Sequence, residues 1–137
     1  MKLFTSTLFL SLFVCFSCHS QCIKGNCYKG HGTFQWENGD MYIGSWINGL
    51  PNGNGKFIWE NGDNYTGSFE EGKLSGQGRY KWKNGNHYTG QWVENMMSGR
   101  GTFYWSKEGA TYEGWFKDDK IINSETDDSQ DVPEGKD

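Results

Sequence analysis

The chain has 137 residues, of which 17% are aromatic and 20 are glycine, and its formal charge is −4 at neutral pH. That length allows one domain at most. The charge is unevenly placed: Gln21 to Lys117 holds ten basic residues and nine acids, whereas Asp118 to Asp137 holds eight acids and two lysines. A body so near neutrality lacks the electrostatic footprint of a nucleic-acid binder, so no nucleic-acid partner is expected.

Residues 1–20 read as an export signal. Lys2 precedes an apolar run from Leu3 to Phe16, and Ser17-Cys18-His19-Ser20 offers a cleavage site after Ser20. The run falls short of the ~20 apolar residues that a membrane span needs. Two rivals stay open: lipid attachment at Cys18, for which Cys15 and Phe16 are poor neighbours, and retention as an uncleaved anchor. The expected location is secreted, periplasmic or cell-surface. Cys22 and Cys27 then remain, and an even pair in an exported chain points to a small-loop disulfide across Gly25-Asn26. A single C-x4-C without a nearby His or second pair is a poor zinc set. Two free thiols follow if the signal is not used.

The rest of the chain is a repeat. Tyr42-Ile-Gly-Ser-Trp46 returns as Tyr65-Thr-Gly-Ser-Phe69, as Tyr88-Thr-Gly-Gln-Trp92 and, cut short, as Tyr112-Glu-Gly-Trp-Phe116. The first two steps are 23 residues, and the third is 24 because the Ser106-Lys107-Glu108-Gly109 turn holds one more residue. Such a period decides the architecture before any local reading. Shifting by 23 also aligns Gly30–Trp36 with Gly53–Trp59, Ile23 with Trp46 and Asn26 with Gly49, so the chain opens on a half repeat. The expected divisions are a half repeat over 23–39, repeats over 42–62, 65–85 and 88–109, and a truncated copy over 112–119. The repeat domain spans 21–117, followed by an acidic tail over 118–137 that is expected to be disordered.

Within a repeat the pattern alternates, and abundant aromatics and glycines with little Leu argue for strands. Asn48-Gly49-Leu50-Pro51-Asn52 is a turn cluster. A second turn joins Trp59 to Tyr65, and its length is decided by parity. A two-residue loop at Asn61-Gly62 would put Tyr65 on the face opposite Phe57. A three-residue loop, Glu60-Asn61-Gly62 with Gly62 left-handed, pairs Phe57 with Tyr65, Gly55 with Gly67 and Gly53 with Phe69. Only the latter keeps every repeated ring on one face.

That face carries Phe34, Trp36, Tyr42, Trp46, Phe57, Trp59, Tyr65, Phe69, Tyr80, Trp82, Tyr88, Trp92, Phe103, Trp105, Tyr112 and Phe116. A ring burying roughly 150–250 Å² at about 25 cal/mol per Å² contributes several kcal/mol before entropy, so the aromatics must supply most of the stability. Facing glycines leave gaps into which rings can lean.

The motif Tyr-x-Gly-x-Trp/Phe-x-x-Gly-x-x-x-Gly-x-Gly at this period resembles the MORN (membrane occupation and recognition nexus) repeat, from about Gly30 to Phe116. Asn95 and Asp119 stand where Gly49 and Gly72 stand in other copies. The resemblance implies an all-β fold, a row of antiparallel hairpins in one elongated, twisted single-layer sheet with an aromatic-lined face. It also implies a binding or scaffolding role, with phospholipid contact proposed for the family but not a dependable property of it.

Catalysis finds no support, and no cofactor is expected. His31 and His87 point away from the rings by parity, without a nucleophile–base–orienter set. The Glu-Asn-Gly-Asp turns at Glu37 and Glu60 offer carboxylates to a calcium ion, but Asn86 and Ala110 break the pattern, and turn chemistry explains them better. The candidate binding face comprises Tyr42, Trp46, Phe57, Trp59, Tyr65, Phe69, Tyr80, Trp82, Tyr88, Trp92, Phe103, Trp105, Tyr112 and Phe116, for a protein segment or a second copy. On the opposite face, Lys73, Arg79, Lys81 and Lys83 are the candidates for an anionic lipid headgroup. Stacking of glycans on the rings is a third reading. Asn64-Tyr65-Thr66 is a glycosylation sequon, meaningful only in a host with that machinery.

Overall fold

The computed structural model describes residues 20–123; the expected signal segment before Ser20 and the acidic stretch after Asn123 lie outside the described residues. Ten strands form one sheet in which every strand pairs with its neighbours in chain order, all antiparallel. They are β1 (Gln21–Gly25), β2 (Gly30–Gln35), β3 (Met41–Ile47), β4 (Leu50–Ile58), β5 (Asn64–Glu70), β6 (Lys73–Lys81), β7 (His87–Val93), β8 (Met96–Trp105), β9 (Ala110–Lys117) and β10 (Lys120–Ile122). No second layer covers this sheet among the described residues.

Two kinds of turn alternate along the chain. The long loop is the three-residue form: Trp59 and Asp63 flank it, the Trp59 amide donates to the Asp63 carbonyl, and Gly62 takes φ 99°. Phe57 therefore faces Tyr65, Gly55 faces Gly67 and Gly53 faces Phe69, the register that parity demanded. The other turn is tighter than the Asn48–Asn52 cluster suggested. Ile47 pairs with Leu50, so only Asn48 and Gly49 turn, with φ of 52° and 76°. Left-handed backbone at both central residues is the type I′ geometry that suits the strand twist. Asn95 and Asp119 keep that conformation, at 71° and 67°, where other copies use glycine.

The two glycines of each Gly-x-Gly serve different ends. Gly53 sits at a bulge between the Gly44–Gly55 and Trp46–Pro51 pairs with φ 91°, a conformation that strains a Cβ. Gly55 has no such φ but lies under the Tyr42 ring; a Cβ there would stand 2.3 Å from the tyrosine oxygen. Gly78 lies likewise under Tyr65, at 2.0 Å.

The N-terminal half repeat departs from the 23-residue alignment. Cys22 pairs with Phe34 as Tyr42 pairs with Phe57, and Ile23 bulges out, 49% exposed, rather than taking the place of Trp46. The connection from Gly25 to Gly30 is too short for the full motif, and the Asn26 side chain holds it by accepting the Tyr28 and Lys29 amides. Cys22 and Cys27 are disulfide-bonded, with Cα atoms 5.8 Å apart. The Cys27 sulfur lies 2.9 Å from where a Cβ on Gly32 would be. The disulfide thus occupies the place that a tyrosine ring occupies in later repeats.

The C-terminal boundary also moves. Asp118 and Asp119, expected to open the acidic tail, form a fourth type I′ turn, and β10 follows with Ile122 buried against the sheet. Net charge hid this strand, because Lys120-Ile121-Ile122 is short and set among acids.

The two glycine roles separate by mutation. Gly78→Ala is expected to cost about 2–4 kcal/mol in urea unfolding, by driving a side chain into a packed ring. Gly53→Ala should cost about 1 kcal/mol, and Gly53→Asn less, because asparagine tolerates the left-handed region. Asparagine at 78 should give no such relief.

Candidate functional site

The rings of the aromatic face fall into two ladders, one from odd strands and one from even. Trp46, Tyr42, Phe69, Tyr65, Trp92, Tyr88, Phe116 and Tyr112 come from β3, β5, β7 and β9. Consecutive rings meet edge to face at 4.8–5.6 Å and 73–89°. All but Tyr112 are buried, and Tyr42, Tyr65 and Tyr88 are fully so. Pro51, Leu74 and Met97 pair with Trp46, Phe69 and Trp92 and close this ladder at the tight-turn edge. Three of its four tyrosine hydroxyls donate to the carbonyl three residues on, Tyr42 to Ser45, Tyr65 to Ser68 and Tyr88 to Gln91, all at 3.1 Å. Trp46 and Trp92 Nε1 donate to the Gly32 and Gly78 carbonyls. A polar atom so buried needs its partner, and these have one.

The even strands and the residue that follows each of β2, β4 and β6 supply the second ladder: Phe34, Trp36, Phe57, Trp59, Tyr80, Trp82, Phe103 and Trp105, with centroids 4.6–5.3 Å apart and planes tilted by 28–61°. Phe103 is buried; the other seven are half-buried. They form one continuous, partly exposed apolar rail across β2 to β8. Trp105 Nε1, at its C-terminal end, is buried without a hydrogen-bond partner. The fourteen rings proposed from sequence therefore divide into core and surface, a division that period-two parity could not reveal. Strand order could have suggested it, since only odd strands carry the Tyr-x-Gly that lays a ring on glycine.

The long-loop edge is polar and ordered. Asp63, 8% exposed, accepts the Lys83 amide at 2.8 Å on Oδ1, and Asn61 Nδ2 and the Tyr80 hydroxyl on Oδ2 at 3.1 and 2.9 Å. Asp40 and Asn86 likewise accept the Glu60 and Ser106 amides. Asp40 and Asp63 thus commit to the fold the oxygens that a calcium ion would need. Among the described residues, no three or more His, Cys, Asp and Glu are grouped to hold a metal ion. His87 lies opposite the rings, its ring centroid 4.9 Å from that of Tyr104 and tilted by 33°, and His31 is exposed.

On the other face, Arg79, Lys81 and Lys83 are exposed and close together along β6 and its following loop. Lys56 joins them through the row Lys56, Thr66, Arg79, a member the sequence reading missed. Lys73 does not join: it sits at the tight-turn end of β6, paired with Glu94, which raises its pKa. Arg100 and Glu113 form another ion pair, at 3.8 Å.

Successive hairpins with one ring face and linked turn edges define an open-ended hairpin-repeat array. The MORN-repeat family model matches residues 28–41, 42–64, 65–87 and 88–109, more than half of the chain, and the protein belongs to that family. MORN repeats are generally binding or scaffolding modules, typically non-enzymatic, that commonly mediate protein or membrane-lipid interactions. Comparison with curated proteins finds no match.

Two measurements follow from the buried polar groups. Asp63→Asn should cost under about 1 kcal/mol, because Asn86 fills that position in the next repeat. Asp63→Ala should cost about 2–3 kcal/mol, leaving the Lys83 amide and Tyr80 hydroxyl unpaired. Burial pushes Tyr42 and Tyr65 up to about 12 from 10.0, outweighing the hydrogen bonds to Ser45 and Ser68. Between those values the folded chain holds protons that the unfolded chain has released. Stability is thus full below pH 10.0 and falls as pH rises toward about 12. In a Tyr28→Phe/Tyr104→Phe/Tyr112→Phe background, which keeps Tyr42, Tyr65, Tyr80 and Tyr88, tyrosinate absorbance should therefore appear together with loss of the ellipticity of the sheet; earlier ionisation in a folded sheet would contradict this.

Proposed function

We propose that this is an exported, non-enzymatic scaffold that engages a protein partner along the half-buried rail of even-strand rings. The rail carries the proposal. A run of partly exposed aromatics from Phe34 to Trp82 is the kind of apolar patch that marks an interaction site, and Trp and Tyr contribute disproportionately to binding. The Cys22–Cys27 disulfide is compatible with an oxidising extracellular environment and supports the export reading.

Lipid binding is a second reading, favoured by the exposed group Lys56, Arg79, Lys81 and Lys83, none of which has an ion pair among the described residues. It uses the opposite face and predicts affinity for anionic vesicles that falls with salt. Glycan stacking would use the same rail as a protein; a glycan array comparing Trp82→Ala with the wild type separates the two.

The deciding experiment captures proteins from the native compartment with the wild type, a Trp59→Ala/Trp82→Ala variant and an Arg79→Glu/Lys81→Glu variant. Circular dichroism of each confirms folding. The proposal expects the ring variant to lose affinity at least tenfold and the charge variant to keep it. Bound partner should also shield tryptophan fluorescence from acrylamide. Equal capture by all three, or a strictly monomeric protein with no ligand on this face, would sink it.

A further inference from the structure

The basic group opposite the rings has a candidate occupant within the same chain. Lys56, Arg79 and Lys81 stand on one face of β4 and β6, flanked by Thr66, Thr89, Asn64 and His87 in neighbouring strands, and exposed Lys83 follows in the loop after β6. Two described acids lie close. Asp63 is buried with both oxygens hydrogen-bonded, and Glu60 lies in the adjacent long loop, where Gly62 approaches Lys83. Four positive charges thus face at most one available carboxylate.

Residues 124–137 carry the opposite charge: Glu125, Asp127, Asp128, Asp131, Glu134 and Asp137 against Lys136. Geometry lets them meet the basic group. Ile122 pairs with Trp115, two residues from Glu113, and Glu113 begins the cross-strand row Glu113, Thr102, Thr89, Arg79. The chain therefore leaves β10 about level with Arg79 and four strands away, roughly 19 Å at about 4.8 Å per strand. An extended chain covers about 3.3 Å per residue, so half of residues 124–137 bridges that gap and the rest can lie along β6.

We propose that the acidic segment 125–137 folds back across β7–β9 and docks on Lys56, Arg79, Lys81 and Lys83. The contact is electrostatic and weak per pair, so it screens out with salt. It makes the array self-masking: an external anion must displace the segment to reach the basic face. This holds whichever ligand occupies the aromatic rail.

Zero-length carbodiimide cross-linking of the full chain at low salt, followed by peptide mapping of the monomer band, tests the proposal. The Lys73–Glu94 pair is the internal control and should couple in every sample. Cross-links from Lys81 or Lys83 to residues 125–137 are expected, independent of protein dilution. They should fall at least fivefold in high salt, in Asp127→Asn/Asp128→Asn/Asp131→Asn, and, for Lys83, in Arg79→Glu/Lys81→Glu. Absence of these cross-links while the control couples overturns the proposal. So does their appearance only in a dimer band, which would assign the segment to a second copy.

Discussion

A tyrosine ring laid across a pair of glycines is the contact on which this fold depends. Tyr42 covers Gly44 and Gly55, and Tyr65 and Tyr88 repeat the arrangement on Gly67–Gly78 and Gly90–Gly101. A single sheet has no facing layer, so its core must lie in the sheet's own surface, and the missing Cβ atoms make the recess. The hydroxyl must then find an acceptor without water. It finds the carbonyl three residues along its own strand, where the bulge begins. Glycine pair, bulge and hydroxyl bond are thus one device repeated.

The two ends solve the same problem with different chemistry. At the N-terminal end the Cys27 sulfur covers Gly32 in place of an aromatic ring. At the other, Tyr112 lies over Gly114 and reaches the Ile122 carbonyl at 3.4 Å, and β10 supplies Ile121, which pairs with Phe116 and packs against the ring core. A terminal repeat lacks a neighbour on one side, so it must close itself.

Period, hairpin order, register and ring face were all legible in the sequence, because the long-loop length follows from keeping Phe57 and Tyr65 together. What escaped the reading depends on depth rather than pattern. Alternation says that Trp46 and Trp59 share a face; it cannot say that Pro51 closes over one while the other stays half open. It assigned Lys73 to the basic group because eight residues look close in sequence, whereas a strand carries them apart and Glu94 lies within reach of the amine. The alignment of Ile23 with Trp46 failed because a covalent loop between Cys22 and Cys27 shortened the connection.

The long-loop edge also has a direction. Asp40 receives the amide of Glu60, Asp63 that of Lys83 and Asn86 that of Ser106, each loop offering a side-chain acceptor to the one that follows. In the fourth loop the corresponding residue is Ala110, which offers none, and the extra residue in Ser106–Gly109 shifts the spacing as well. The series is therefore terminated chemically as well as geometrically. A long loop following this one would find no side-chain acceptor for its amide at Ala110, so the series of linked loops has its last acceptor in Asn86.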